Sequence, residues 1–216
     1  MKSLIILGAG GHGKVVAETA LISNRFKSIS FLDDKFEHKK NSFTFRGINL
    51  IGKLNYAECF SCKKTFEYAM VAFGDSNLRL DWIKKLNNFG YEMPSIIHPS
   101  AWISPSCNIQ QGTVVFAQAA IQSDVIIGEG NIINTGSSVD HDCILGEGVH
   151  ICPGARIAGN VHIGAKSTIG IGSSINKGIK IGSNVIVGAG AAVVRDIGNN
   201  LIAKGVPAKA KINLKE

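Results

Sequence analysis

Stepping along the chain from Ile97 in units of six meets Ile97, Ile103, Ile109, Val115, Ile121, Ile127, Ile133, Val139, Leu145, Ile151, Ile157, Ile163, Ile169, Ile175, Ile181, Val187 and Val193. All seventeen are Ile, Leu or Val, and no insertion breaks the period. Two residues earlier a small side chain often stands, as at Ala101, Cys107, Thr113, Ala119, Ser137, Cys143, Ala155, Ser167, Ser173 and Ala191. One residue later there is often a glycine, as at Gly128, Gly146, Gly164, Gly170, Gly182 and Gly188. Side chains two apart on a strand point to the same side, so the aliphatic and the small residue both face inward. The glycines suit the backbone of a corner. An amphipathic helix would drift off a strict period of six. The pattern predicts a parallel β-helix over residues 97–216, its stacked coils burying one continuous core. Each buried Ile or Val contributes roughly 1.5–3 kcal/mol, ample drive before chain entropy is subtracted.

Residues 1–96 are patterned differently. An apolar run at 3–7 leads into Gly8-Ala9-Gly10-Gly11-His12-Gly13, a helical stretch follows at 14–23, and a second strand at 29–32 ends in Asp33-Asp34. Strand, glycine-rich turn, helix and strand, with an acid about twenty residues beyond the glycines, is the arrangement of a nucleotide-binding βαβ unit. The glycines let the backbone approach a phosphate, and the helix N-terminus favours its negative charge. A further strand is expected at 68–73, running to Gly74-Asp75, then a helix at 78–88 and a short strand at 95–97. The segment is too short for the two mononucleotide halves that hold a dinucleotide, so a single nucleotide is the expected ligand rather than NAD. The same α/β domain can also cap the open end of the β-helix.

Composition narrows the classes. Lys and Arg number 23 against 16 Asp and Glu, a net charge of +7. Residues 1–96 hold 14 of those bases against 9 acids, a surplus of 5, leaving a surplus of 2 for the rest. A basic first domain suits an anionic small molecule. The basic pairs Lys39-Lys40, Lys63-Lys64 and Lys84-Lys85 are short and lack interleaved aromatics, so they read as solvated faces and not as a nucleic-acid surface. No apolar run reaches membrane-spanning length, and the run at 4–7 stops at Gly8, too short for a signal-peptide core. Five scattered cysteines point to a reduced, cytoplasmic protein. Cys59-x-x-Cys62 has no second pair to complete a zinc site.

Six histidines remain as candidates for chemistry. His38 lies in a polar stretch, and His98 precedes Pro99 at the entry to the repeat, where a structural role is expected. His150 and His162 each precede an inward aliphatic, so alternation puts them on the outer surface. His141 stands near a corner between Asp140 and Asp142. A histidine beside a carboxylate and off the core is a candidate general base, because the acid orients the ring and stabilises its protonated form. The bland alternative is a solvated turn. A trinuclear histidine metal site, as in carbonic-anhydrase-type β-helices, is the competing chemistry, and the spacing shows no ligand pattern for one.

Gly8-Ala9-Gly10-Gly11-His12-Gly13, Leu32-Asp33-Asp34, Val139-Asp140-His141-Asp142-Cys143, Gly148-Val149-His150 and Gly205-Val206-Pro207-Ala208-Lys209 together resemble the sugar acyltransferase family of bacterial surface-polysaccharide pathways. That branch of the hexapeptide-repeat superfamily includes UDP-bacillosamine-type N-acetyltransferases and sialic acid O-acetyltransferase-like proteins. The match runs in order through the whole chain. It implies a homotrimer of left-handed β-helices, acetyl-CoA bound between neighbouring protomers, and a nucleotide sugar held by the N-terminal domain. By motif position, His141 is implied as the base and Asp142 as its supporting carboxylate. Gly10, Gly11, His12, Asp33, Asp34 and Gly74 are implied for the nucleotide sugar, and His150, Ile171 and Ala189 for acetyl-CoA, with no metal. Ile171 and Ala189 are three hexads apart, so they stack on successive coils, as a cofactor lying along the axis requires. The implied reaction is N-acetylation, at a 4-amino group, of a UDP-linked amino-dideoxy sugar for surface glycans. Transfer to a sugar hydroxyl would need the same base. A non-catalytic β-helical scaffold would need neither the His141-Asp142 pair nor a nucleotide-type domain.

Overall fold

Leu4, Ile5, Ile6 and Leu7 are all fully buried, so the strand carrying them is covered on both faces. That is the situation of a central strand in a parallel α/β sheet. In the computed structural model, which describes residues 2–39 and 44–212, this strand is β1 (Lys2–Leu7). It pairs in parallel with β2 (Phe26–Leu32) on one side and β5 (Tyr68–Val71) on the other. β2 in turn pairs in parallel with β4 (Ile48–Gly52), and β3 (Thr44–Phe45) adds an antiparallel edge, giving the order β3-β4-β2-β1-β5. The chain winds outward from β1 in both directions, so the carboxyl ends of β1 and β5 flank a topological switch point, where open α/β sheets bind ligands.

Helices α1 (Gly11–Ile22) and α4 (Ser76–Asn88) follow β1 and β5. Trp82, Ile83 and Leu86 of α4 pack with Ile5, Leu7, Val71 and Leu54 in one apolar cluster. The expected elements are present with shifted ends: β2 begins earlier, at Phe26, and α1 at Gly11, whereas α1 ends at Ile22, β5 stops at Val71 instead of running to residue 73, and the short strand before the repeat is only Ile96–Ile97. The sequence reading missed the β3–β4 hairpin, the 3-10 turn Leu54–Glu58, and two short helices, α2 (Phe36–Lys39) and α3 (Phe60–Thr65). The hairpin turns on Arg46 (φ 49°) and Gly47 (φ 76°), the double positive φ of a type I′ turn. Arginine in place of the usual Asn or Asp hid that signal. Of the basic pairs, Lys63-Lys64 ends α3 and Lys84-Lys85 lies in α4, while Lys40 lies outside the described residues.

By internal packing the chain divides into two units, Met1–Ile97 and His98–Glu216. The second is the expected β-helix, a three-sided coil of two-residue strands. One face carries Trp102–Ile103, Ala120–Ile121, Ser138–Val139, Arg156–Ile157, Ser174–Ile175 and Ala192–Val193. The next carries Asn108–Ile109, Ile126–Ile127, Ile144–Leu145, His162–Ile163 and Lys180–Ile181. The third carries Val114–Val115, Ile132–Ile133, His150–Ile151, Thr168–Ile169, Ile186–Val187 and Leu201–Lys204, and ends on antiparallel Lys209–Ile212. Partners across each face are one coil apart, as in Ile121↔Val139↔Ile157. From Val115 to Val193 every residue of the aliphatic ladder is buried, while Ile103 and Ile109 in the first coil are half-buried.

The glycines that follow the ladder residues have a different cause from the one expected. None of Gly128, Gly146, Gly164, Gly170, Gly182 and Gly188 has positive φ. A methyl group on Gly164 would stand 2.5 Å from the carbonyl carbon of Gly182, and one on Gly170 2.4 Å from the oxygen of Val187. They are glycine because adjacent coils lie too close for a side chain. Left-handed backbone falls instead three residues before each ladder position from Val115 to Val193, at Gly112, Gln118, Asp124, Gly130, Gly136, Asp142, Gly148, Gly154, Asn160, Lys166, Gly172, Gly178, Asn184 and Gly190. Each of these corners thus turns on one left-handed residue, and six of the fourteen are not glycine.

Candidate active site

The carboxyl edge of the N-terminal sheet is built around two acids. Asp33 takes the Ala9 N–H on Oδ2 at 2.9 Å and the Lys35 N–H on Oδ1 at 2.9 Å, tying the glycine loop to the end of β2. Asp34 accepts the Leu54 N–H at 3.2 Å. The loop glycines divide by function. Gly8 (φ 105°) and Gly13 are required by the chain itself, since a methyl group on Gly13 would fall 1.9 Å from the oxygen of Gly8. A methyl group on Gly10, Gly11 or Gly74 would meet nothing within 4 Å. Protein packing therefore does not demand glycine there, and the bare backbone leaves room for a ligand. Gly10 caps α1 without a side chain, the first turn of α1 holds no acid, and half-buried His12 lies in that turn. The positive end of the helix dipole is thus left for an anion.

Arg79, which the sequence reading passed over, organises the other side of the switch point. It is 1% exposed and donates from Nη1 to the carbonyls of Phe73 (2.7 Å) and Gly74 (3.0 Å). Burial pulls its pKa down to about 10, opposed by nearby Asp75, so it remains a cation at neutral pH. Asp75 itself caps α4 by accepting the Leu78 N–H at 2.7 Å.

On the β-helix, His141 projects from the corner between the first and second faces. Its N–H is held by Asp140 Oδ1 at 2.9 Å, and its ring Nδ1 lies 2.7 Å from Asp142 Oδ2, with the side chains 50% and 61% exposed. Asp142 is also the left-handed residue of that corner, with φ 57°. An imidazole that gives its Nδ1 proton to a carboxylate presents a lone pair at Nε2. The adjoining thiol is not a nucleophile: Cys143 is buried, its Sγ donates to the Ala158 carbonyl at 3.2 Å, and burial raises its pKa.

His150 stands half-buried on the third face, with Nε2 3.1 Å from Nδ2 of Asn134, a partner the sequence did not single out. Beyond that face is the corner column Thr135, Pro153, Ile171 and Ala189, linked through the bonds Gly154 N–H to Thr135 O, Gly172 N–H to Pro153 O and Gly190 N–H to Ile171 O. Ile171 is 60% exposed and Ala189 is exposed. Within one chain, then, His141 pairs with Asp142, and Ile171 stacks with Ala189, but the two sets sit on different corners of the prism. His38 is exposed, His98 accepts the Ser100 N–H on Nδ1 at 3.1 Å, and His162 is half-buried on the second face. Among the described residues, no three His, Cys, Asp or Glu side chains are grouped to hold a metal ion. No described helix is long and apolar enough to cross a membrane.

Residues 3–86 match the PglD N-terminal domain, and residues 124–159 match the bacterial transferase hexapeptide (six repeats). The acetyltransferase domain of PglB from Neisseria gonorrhoeae FA1090 is 39% identical, with a TM-score of 0.91 over 98% of this chain and 100% of that one. A mutant of perosamine N-acetyltransferase from Caulobacter crescentus, solved with CoA and GDP-perosamine, is 35% identical, with a TM-score of 0.91 over 99% of this chain and 98% of that one. UDP-N-acetylbacillosamine N-acetyltransferase of Bacillus subtilis (strain 168) is 35% identical over 122 residues, 54% of this chain. The chain spans about half the length of that curated relative, 52%.

An α/β domain followed by a left-handed parallel β-helix places the molecule among hexapeptide-repeat proteins. Within them, the chain belongs to the bacterial sugar acyltransferase family typified by PglD and PglB.

Proposed function

We propose that the protein transfers the acetyl group of acetyl-CoA to the amine of a nucleotide-linked amino-dideoxy sugar, at the 4-amino group of a UDP sugar destined for surface glycans. The observation that carries the reading is the His141–Asp142 pair, 2.7 Å apart on an exposed corner of the β-helix. His141 Nε2 takes a proton from the amine as its nitrogen attacks the thioester carbonyl. The tetrahedral intermediate collapses with cleavage of the C–S bond, and CoA leaves as the thiolate and is reprotonated. Asp142 holds the ring and balances the imidazolium charge. Backbone N–H groups meet the developing oxyanion. The relatives' names support nitrogen as the acceptor: one is a UDP-N-acetylbacillosamine and another a perosamine N-acetyltransferase. A neighbouring structure of the gonococcal domain holds acetyl coenzyme A.

The division of labour follows the two kinds of site. Residues 1–96 hold the nucleotide sugar through Gly10, Gly11, His12, Asp33, Asp34 and Gly74, and residues 97–216 carry the transfer. His150, Ile171 and Ala189 contact acetyl-CoA. Because the Ile171–Ala189 column and His141 occupy different corners of one prism, a site using both is completed by a neighbouring protomer, and the working form is a homotrimer. Five free cysteines suit the reducing cytoplasm, where the reaction is placed.

The test is a panel of UDP- and GDP-linked 4-amino-dideoxy sugars and their 4-hydroxyl counterparts, incubated with acetyl-CoA. Thiol release and product mass are followed, and light scattering of the same preparation should report a trimer. Release with a UDP-linked amine and a product heavier by one acetyl group are expected. Transfer only to hydroxyls would make it an O-acetyltransferase, turnover only with GDP sugars would reassign the nucleotide, and no release with any acceptor would favour a scaffold.

A further inference from the structure

Among the described residues, Arg79 is the only charged side chain that is fully buried. Burying a cation is costly, and apolar residues of similar volume pack a helix on a sheet at least as well, so packing alone does not account for it. Its guanidinium is directed at the loop between β5 and α4. Nη1 donates to the carbonyls of Phe73 (2.7 Å) and Gly74 (3.0 Å), and Nη2 donates to Ser76 Oγ at 3.3 Å. Two successive carbonyls are thereby turned inward. In a planar trans peptide the N–H points opposite to the C=O, so the N–H groups of Gly74 and Asp75 are turned away from Arg79. Both residues are exposed, and neither N–H has an acceptor among the described residues. The same loop lies against the glycine turn that follows β1. A methyl group on Gly8 would stand 2.9 Å from the Ala72 oxygen and 3.0 Å from Cε1 of Phe73.

We infer that Arg79 is a positioning residue for the nucleotide sugar. Its fork holds the backbone of residues 73–75 so that two consecutive N–H donors face the acceptor oxygens of the ligand before it arrives. Donors fixed in advance need not be ordered on binding, and the saving appears as affinity. Being buried, Arg79 acts through the Gly74 and Asp75 backbone. The inference rests on the reading of this sheet edge as the nucleotide-sugar site. Lysine would keep the charge, but its single ammonium lacks the planar fork that spans two carbonyls. Methionine would keep much of the apolar volume and supply neither donor nor charge.

The test is Arg79→Lys and Arg79→Met, assayed by thiol release and by calorimetric titration with the amino sugar, UDP- or GDP-linked, that the panel above identifies as acceptor. Circular dichroism and Tm report folding. Gly10→Val is the control, since its added Cβ meets no protein atom within 4 Å and its bulk enters the ligand's space. Both Arg79 variants are expected to bind the sugar about tenfold or more weakly, the loss of one hydrogen bond to a charged group. Turnover at saturating sugar and KM for acetyl-CoA should stay within about twofold of the parent. Folded variants with a lowered Tm and parental affinity for the sugar would overturn the proposal, as would equal losses in kcat and both KM values. So would failure of both variants to fold, since the guanidinium would then serve the fold and not the ligand. Should Gly10→Val also bind the sugar as the parent does, the sheet edge is not the site, and the reading beneath the proposal falls with it.

Discussion

Asp142 does two jobs that constrain its replacement differently. Its carboxylate meets His141, and its backbone sits at φ 57° to turn the corner. Aspartate and asparagine visit the left-handed region more readily than other side chains. Asp142→Asn should therefore fold like the parent and lose less turnover than His141→Ala, since the ring remains and only its charge partner is weakened. Asp142→Ala should lose about 1 kcal/mol of stability as well, through the left-handed backbone. Steady-state rates beside urea unfolding separate the two jobs, and equal stability of the two variants would argue against the backbone role. The pair was legible in the sequence because its members are neighbours. Asn134 and Arg79 were not, because each acts on atoms brought near by folding: Asn134 on a histidine sixteen positions away, and Arg79 on carbonyls of the preceding loop.

Among the elements, the β-helix was the more readable half, since a period of six with an unbroken aliphatic ladder admits one architecture. Its glycines were legible in position and misread in cause. The two kinds predict different costs. Gly164→Ala drives a methyl group to 2.5 Å from the Gly182 carbonyl carbon, backbone that cannot move aside, so a loss in the overpacking range of about 1–3 kcal/mol or above is expected. Gly172→Ala points into open space and pays only for its φ of 63°, about 1 kcal/mol. Denaturant unfolding of the two variants should rank Gly164→Ala as the more damaging, and the reverse order would restore corner freedom as the reason for the post-ladder glycines. In the N-terminal domain, β1, α1, β2, β5 and α4 were readable from run length and the glycine turn. The stretch between β2 and β5 was not, because its hairpin turns on Arg46-Gly47 and its helices are too short to show a period.

For the whole molecule, binding and chemistry fall to different parts of the chain in the proposed reaction. In that reaction, the carboxyl edge of the sheet offers bare glycines and a helix N-terminus to a nucleotide, and the β-helix corner offers His141 as base with its carboxylate. An ammonium nitrogen has no lone pair, so acylation waits on removal of its proton, and a positioned base contributes about 10²–10⁴-fold in rate. The most direct measurement is steady-state thiol release by His141→Ala, run beside calorimetric titration of the same variant with the nucleotide amino sugar. The account predicts a loss of turnover of about 10²–10⁴-fold with the sugar bound as tightly as by the parent. Turnover within about threefold of the parent, far inside the range a general base supplies, or a parallel loss of sugar binding, would contradict it.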